Sequence, residues 1–290
     1  MSSSLPFMSN FKSLRGPTTE QWQRVLSAIV ILPPLLLFLT YASQRLFLLL
    51  ICLLMWMSLR EYFRLLACKH ASVRGASLVY AAALALALTA YLGGIQWMPL
   101  TLSLSIVVLT INVMVTETPT VHPFLGLLHS LFGMLLIGWG LSHLVLLRGL
   151  EFGERYILLL CVIIWAGDAM AMYVGKGLGR HKMAPSMSPG KTWEGAVGGV
   201  MGCLLAAALG MHFLAPQLSL QQSLMFGLIV SCAAQTSDLG ESMLKRYVGV
   251  KDSGTLIPGH GGILDRLDSL FLAAPLAFYT LNFLMTQSAP

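Results

Sequence analysis

The segment 257–270 combines residues that could bind a metal ion and a phosphate. His260 lies among glycines, and Asp265 and Asp268 are three residues apart, on one face of a helix that we expect to begin near Ile263. One histidine with carboxylates and without cysteine suits a hard, oxygen-liganded ion better than zinc. We therefore expect Mg²⁺ and a phosphate-bearing substrate at this segment.

A second polar segment, 176–194, reads KGLGRHKMAPSMSPGKTWE and carries four Lys or Arg residues. Its Gly, Pro and Ser content indicates a loop, and backbone N–H groups with ammonium groups suit a polyphosphate. A basic loop that touches lipid head groups would explain the charge equally well. The GKT sequence at 190–192 does not complete a Walker A motif, because the first glycine of that pattern would fall on Pro185.

A third group of polar residues follows Asp238. If its helix continues, Asp238, Ser242 and Lys245 lie on one face, and Glu241 is four residues before Lys245. This face offers a carboxylate, a hydroxyl and an ammonium group. A solvated helix end with one ion pair would give the same pattern.

The elements that position these residues are membrane helices. Of the 290 residues, 56% are hydrophobic and 10% are charged, against about a quarter charged in soluble proteins. Apolar runs of about 20 residues recur along the chain. We predict an all-α, polytopic membrane protein with about nine transmembrane helices, eight being the near alternative, and two polar cytoplasmic loops that form the active site. The predicted spans are 25–42, 46–63, 75–93, 96–115, 124–147, 156–175, 195–214, 222–239 and 269–286.

Charge is distributed unevenly between the two sides that these spans define. The chain has 18 Lys and Arg residues. If the N-terminus is cytoplasmic, only three of them, Arg45, Arg148 and Arg155, face outward. This positive-inside pattern accounts for the net charge of +6 without nucleic-acid binding. It also puts both polar loops, 176–194 and 240–268, on the cytoplasmic face.

The chemistry-bearing residues are concentrated in the second half of the chain. We divide the sequence into a cytoplasmic leader, 1–24, a hydrophobic helical half, 25–150, and a catalytic half, 151–290. Asp168 lies within an apolar run, where a carboxylate is costly unless it faces a cavity, a cation or a partner. We therefore expect Asp168 to be functional.

The second loop has a long pattern of fixed spacing, Ser242-x-x-Lys245-Arg246-x4-Lys251-Asp252-x-Gly254-x-x-Ile257-Pro258-x-His260-Gly261-Gly262-x-x-Asp265-Arg266-x-Asp268. This pattern resembles the signature of the phosphatidate cytidylyltransferases, also called CDP-diacylglycerol synthases. The segment SPGKTWEG at 188–195 is also similar to that family, and the resemblance covers about residues 160–275.

The resemblance implies transfer of CMP from CTP to phosphatidate, giving CDP-diacylglycerol and pyrophosphate in phospholipid biosynthesis. It implies Mg²⁺, with room for a second cation, and a place in the lipid bilayer of the bacterial inner membrane. Asp265, Asp238 and Lys245 are then catalytic, Asp238 and Asp265 bind the metal, and Asp168 completes either the cavity or the metal set. The implied substrate-binding residues are Ser188, Lys191, Thr192, Glu241, Ser242, Arg246, Lys251, Asp252, His260 and Arg266.

Two departures from the family pattern leave alternatives open. Met172 stands where relatives usually have Tyr, and Ser237 stands where they usually have Gly before the carboxylate. A paralogue with an altered lipid or nucleotide acceptor therefore stays open. A lipid or polyprenol kinase is a separate alternative, which would transfer a single phosphoryl group instead of CMP. An ion-coupled transporter lined by Asp168 is a more distant alternative. A homodimer is left open beside a monomer.

Overall fold

The structure is a computed structural model of the chain, and helices form almost all of it. Outside the helices and their connecting turns, it contains one short antiparallel hairpin. The predicted all-α class is confirmed for the part that the structure describes, and the predicted leader, 1–24, lies outside it. The described residues are 30, 33–68, 75–116, 122–254 and 261–288.

The elements follow one another with short connections. A π-helical turn, Met134–Trp139, joins α5 and α6 into one continuous helix, and a 3₁₀ turn, Ile95–Trp97, precedes α4. The helices and strands are α1 (33–41), α2 (Gln44–Cys68), α3 (Ala76–Leu92), α4 (Met98–Val115), α5 (Pro123–Gly133), α6 (Gly140–Arg148), α7 (Gly153–Leu178), β1 (Lys182–Ala184), β2 (Ser188–Thr192), α8 (Trp193–Leu214), α9 (Leu220–Val248), α10 (Leu264–Leu267) and α11 (Leu270–Ser288).

Six helical segments of the described structure are long and apolar enough to cross a membrane. The chain is therefore an integral membrane protein. Helix α3 is apolar but only 17 residues long, and the longer α9 ends in charged residues. The count of nine spans stays a prediction. The six segments are Gln44–Cys68, Ile95–Val115, Pro123–Arg148, Gly153–Leu178, Trp193–Leu214 and Leu264–Thr286.

Small residues bring α7 and α8 into close contact. A Cβ atom at Gly198 would lie 2.6 Å from Val174, and one at Gly202 would lie 2.8 Å from the carbonyl oxygen of Ala166. Glycines four residues apart are on the same helix face and let two membrane helices approach closely. This packing fixes the end of α7 beside the start of α8, where the first polar loop connects them.

The helices before and after residue 150 pack against each other. Helix α6 lies along α11, and α2 contacts α6 and α9. The first half, which carries no motif, is therefore in direct contact with the motif-bearing half.

Candidate active site

A cavity of about 950 Å³ lies between the two halves of the chain. Its apolar part is lined by side chains of α1, α2, α6 and α7, and its polar part by α7, the hairpin, α9 and the segment 263–270. A cavity with these two parts can accommodate an amphiphilic molecule. Apolar lining residues include Leu35, Leu39, Phe47, Ile51, Leu144, Ile157 and Ile164. The charged ones are Asp168, Lys176, Lys191, Asp238, Asp265, Arg266 and Asp268.

The first polar loop forms the hairpin of β1 and β2, which is fixed at its end and at its turn. Thr192 caps α8 by accepting a hydrogen bond from the N–H of Gly195 at 3.1 Å. The Arg246 side chain of α9 donates to the carbonyl oxygen of Met187 at 3.0 Å. The loop is therefore docked onto α9, which carries the second group of predicted site residues.

Lys191 and Asp238 join the two predicted loops directly. The Lys191 Nζ atom lies 2.6 Å from the Asp238 Oδ2 atom, and both side chains are about one quarter to one third exposed, at 24% and 31%. The prediction that these residues share a site agrees with this geometry. Their charges compensate each other at the polar end of the cavity.

Three carboxylates from different elements face this part of the cavity. Asp168 comes from the middle of α7, Asp238 from α9, and Asp268 from the turn before α11. Asp168 repels Asp238 and attracts Lys191 and Arg266, and Asp268 interacts unfavourably with both other carboxylates. The expectation that Asp168 faces a polar cavity agrees with this position.

Ser237, where relatives usually have Gly, fixes the position of Asp268. The Ser237 hydroxyl is fully buried, donates to the carbonyl oxygen of Asp268 and accepts from the N–H of Leu272 at 3.3 Å. It thereby ties α9 to the start of α11. This contact gives the departure from the family pattern a structural role.

Asp265 lies in a dense network of hydrogen bonds on one side of the cavity. Its Oδ1 atom is 2.7 Å from Lys245 Nζ. Its Oδ2 atom accepts from the N–H and hydroxyl of Ser253 and from the N–H of Gly262, at 3.0, 2.9 and 3.0 Å. The side chain is only 7% exposed. Both oxygens of Asp265 are therefore occupied by donors.

The predicted helix that carries both Asp265 and Asp268 is interrupted. Helix α10 ends at Leu267, and Asp268 lies in the turn before α11. Asp265 faces Lys245 and Ser253, whereas Asp268 faces the cavity with Asp168. The two carboxylates thus belong to different networks, because the chain turns between them.

Lys245 lies between two carboxylates. It contacts Glu241 at 2.6 Å as well as Asp265, and the Glu241 side chain is fully buried. Burial raises the pKa of Glu241 to about 8, with Lys245 opposing the shift and Asp265 adding to it. Burial lowers the pKa of Lys245, but its bonds to Asp265 and Glu241 outweigh this, so that its pKa lies above the ordinary value. Burial raises the pKa of Asp265, but the bonds that it accepts from Lys245, Gly262 and Ser253 outweigh this and lower its pKa. These shifts favour charge on Lys245 and Asp265 and disfavour charge on Glu241.

Sequence reasoning missed two residues of this site. Asp268 was part of the motif but was given no role, and Glu61 of α2 accepts hydrogen bonds from the second loop. The signal for Glu61 was a carboxylate among the charged residues at the end of the second predicted span. No local pattern indicates its partners, because they lie about two hundred residues away.

Only some of the remaining predicted residues line the cavity. Arg246 is engaged by the carbonyl oxygens of Met187 and Val250. Among the described residues, Ser188, Ser242, Lys251 and Asp252 also lie outside the cavity lining. Thr192 and Arg266 belong to the lining, and His260 lies outside the described residues.

The described residues contain no group of three or more His, Cys, Asp or Glu side chains already arranged to hold a metal ion. The carboxylates at the cavity therefore supply suitable oxygen donors without a preformed coordination sphere. The expected Mg²⁺ and second cation stay predictions.

Comparison with known proteins identifies the family. The profile of the cytidylyltransferase family matches residues 22–284. The chain belongs to this family. The match extends beyond the motif-bearing half into the hydrophobic first half, so that both halves that line the cavity are part of the cytidylyltransferase architecture. The family resemblance predicted from the motifs is confirmed.

Bacterial phosphatidate cytidylyltransferases are among the similar proteins. That of Bacillus subtilis is 37% identical over 191 residues, which cover 65% of this chain and 69% of the relative. That of Haemophilus influenzae is 42% identical over 137 residues, covering 46% and 48%. That of Brucella abortus is 42% identical over 158 residues, covering 50% and 54%. The aligned part thus spans about half the length of the last two.

Proposed function

We propose that this protein transfers CMP from CTP to phosphatidate, producing CDP-diacylglycerol and pyrophosphate for phospholipid biosynthesis. Membership of the cytidylyltransferase family makes it a nucleotidyltransferase, and the relatives named above carry this activity in their names. The cavity supports a lipid as the acceptor, because its apolar part adjoins its polar part.

The apolar part of the cavity suits the acyl chains of the acceptor. Leu35, Phe47 and Ile157 belong to helices within the hydrophobic bulk of the protein. Lys191 lies instead in the hairpin just before α8, and Asp238 lies in the polar second half of α9. Phosphatidate has the same order of groups, because its tails stay in the bilayer while its phosphate reaches the surface. CTP is fully polar and would enter from the loop side.

The reaction is an in-line displacement at the α-phosphorus of CTP. An oxygen of the lipid phosphate forms the new P–O bond, and the bond from the α-phosphorus to the oxygen that bridges to the β-phosphate breaks. Pyrophosphate leaves with that electron pair. The attacking oxygen is already anionic, so no strong general base is needed, and the protein must mainly position and neutralise two anions.

Among the described cations that line the cavity, Lys191 and Arg266 act electrostatically on Asp168, and we assign them to phosphate binding. An arginine can bind two phosphate oxygens at once, and a lysine supplies a compact charge. Lys245 is already held by Glu241 and Asp265. Its proposed task is therefore to fix Asp265 rather than to bind substrate directly.

The donor set at the cavity fits the proposed Mg²⁺. Asp168, Asp238 and Asp268 present carboxylate oxygens to one region, and their mutual repulsion favours a cation between them. These three residues would hold the ion, with Asp265, the ligand proposed from the motif, beside them in the lining. When bound, the ion would neutralise charge on the reacting phosphates. A second cation stays part of the proposal.

We propose nine spans with the N-terminus and both active-site loops in the cytoplasm of a bacterial inner membrane. The charge distribution supports this orientation. The contact of Glu61 with Leu264 puts the basic end of α2, with Arg60 and Arg64, beside the second loop. Arg148, one of the three outward-facing basic residues, instead contacts the turn between α1 and α2.

Labelled CTP tests the reaction type. The purified protein with phosphatidate and Mg²⁺ should place label from the α-phosphate in the lipid product and release label from the γ-phosphate as pyrophosphate. A lipid or polyprenol kinase would transfer the γ-label instead. A panel with other phospholipids, polyprenyl phosphate and dCTP would identify an altered acceptor or nucleotide, and label in none of the lipids would contradict the proposal.

Two further measurements test the remaining parts of the proposal. Cysteine labelling from either side of sealed vesicles should place residues 182 and 251 inside and residue 151 outside. The mass of the detergent-solubilised protein should distinguish a homodimer from a monomer, the two states left open by the sequence. Accumulation of a solute in vesicles without CTP would favour the transporter.

A further inference from the structure

Glu61 connects the first half of the chain to the second polar loop. It lies near the end of α2, is only 5% exposed, and accepts hydrogen bonds from the backbone N–H groups of Ile263 and Leu264 at 3.0 and 2.8 Å. The two bonds go to different carboxylate oxygens. Glu61 therefore fixes the backbone immediately before Asp265 through both of its oxygens.

The Ser253 hydroxyl lies between Glu61 and Asp265. Its oxygen is 3.1 Å from Glu61 Oε2 and 2.9 Å from Asp265 Oδ2. One hydroxyl has a single proton to donate, so the two carboxylates share this donor. The Ser253 N–H also donates to Asp265 at 3.0 Å. A single residue thus links the carboxylate of α2 to the carboxylate of the motif.

Two glycines of the loop leave room for the Glu61 carboxylate. A Cβ atom at Gly262 would collide with the Ser253 hydroxyl and with Glu61 Oε2, and one at Gly254 would lie 3.1 Å from Glu61 Oε1. The backbone of the loop therefore closes around this carboxylate on two sides. This close approach gives a physical reason for glycine at both positions of the motif.

We infer that Glu61 is a positioning residue, which orients Asp265 through Ser253 and through the backbone of Ile263 and Leu264. Its effect on turnover depends on the proposed cytidylyl transfer, whereas its effect on the loop does not. A carboxylate satisfied by three donors is suited to this task, because each bond fixes a different point around Asp265.

Glu61→Gln tests the inference with almost no change of volume. Whichever way the new amide is turned, its NH₂ group faces either the Ile263 or the Leu264 N–H, so one hydrogen bond becomes a donor–donor contact. We expect kcat to fall about 10- to 100-fold, the usual cost of losing a supporting partner of a site residue. The KM for CTP should stay within about threefold, because no substrate contact is removed. Glu151→Gln, the same change in an exposed turn, should leave both values unchanged.

A double-mutant cycle and hydrogen exchange separate positioning from general stability. The effects of Glu61→Gln and Ser253→Ala on kcat should be non-additive, because both act through the same network. In Glu61→Gln, backbone amides of 261–265 should exchange faster, while those of α7 and α8 keep their protection.

Unchanged exchange at 261–265 together with unchanged kcat would overturn the inference. Loss of protection throughout α7 and α8 would also overturn it, since Glu61 would then serve only the fold. If the wild-type protein formed no cytidylylated lipid, the proposed function would fail, but the exchange measurement would still decide the role of Glu61.

Discussion

The Lys191 Nζ atom lies 2.6 Å from the Asp238 carboxylate and thereby connects the hairpin to α9. The hairpin ends at Thr192, which caps α8, so Lys191 is held immediately before a fixed point of the fold. Asp238 is held within the long helix α9. A substrate phosphate that enters here meets a cation already positioned by a carboxylate.

Replacing Lys191 by Ala should raise the KM for CTP about tenfold to hundredfold, since a hydrogen bond to a charged group contributes about 1.5–3 kcal/mol. The initial rate at varied CTP concentration measures this effect. Lys182→Ala removes an exposed cation from β1 of the same hairpin and should change KM little. Equal effects of the two variants would mean that only the total charge of the loop matters.

Asp265→Asn should lower the free energy of unfolding, because removing one partner of a buried ion pair costs about 3–5 kcal/mol. Turnover should fall at least about 100-fold, because the variant also removes a carboxylate from the proposed site. The variant leaves Lys245 with the buried Glu241 as its remaining carboxylate partner. Turnover at saturating CTP and the melting temperature in detergent are the measurements.

The double variant Lys245→Met with Asp265→Asn is the control for the unbalanced charge of Lys245 in Asp265→Asn. It removes both charges, so its melting temperature should be higher than that of Asp265→Asn alone. Its turnover should remain low. Near-normal turnover of Asp265→Asn would remove Asp265 from the proposed site.

The sequence predicts the location of the site better than its internal contacts. Asp168, Lys191 and Asp238 were expected in one site, and all three line the same cavity. The proximity of these residues could be predicted because hydropathy indicates where helices leave the membrane. Polar residues of neighbouring helices on one side of a membrane then lie close together. The predicted end of the span at 239 nevertheless precedes the end of α9 at Val248, because a helix continues in water where hydropathy falls.

The contacts within the site depend on packing that no local pattern describes. Glu61 was visible as a charge at the end of a span, but its donors at Ile263 and Leu264 are known only from the fold. Similarly, Lys245 was expected to be catalytic, but its position between Glu241 and Asp265 follows from how the second loop folds back onto α9.

Ser237→Ala should lower the free energy of unfolding by about 1–2 kcal/mol, since it removes buried hydrogen bonds to Asp268 and Leu272. Because the hydroxyl contacts backbone atoms rather than the cavity, the ratio of rates with CTP and dCTP should stay unchanged. Denaturant unfolding in detergent and assays with both nucleotides measure the two effects. A changed ratio with unchanged stability would give Ser237 a role in nucleotide selection instead.

Gly198→Ala should destabilise the protein by about 1–3 kcal/mol, the usual cost of adding a methyl group to a close-packed contact. The new Cβ atom would lie 2.6 Å from Val174 and would force α7 and α8 apart. Because α7 carries Asp168 and α8 begins directly after Lys191 and Thr192, activity should fall together with the melting temperature.

Gly126→Ala is the matched control, since nothing lies within 4 Å of its new Cβ atom. Alanine favours a helix over glycine by about 1 kcal/mol, so this variant should melt no lower than the wild type. Equal destabilisation by both variants would show that the contact between α7 and α8 is not what requires glycine at residue 198.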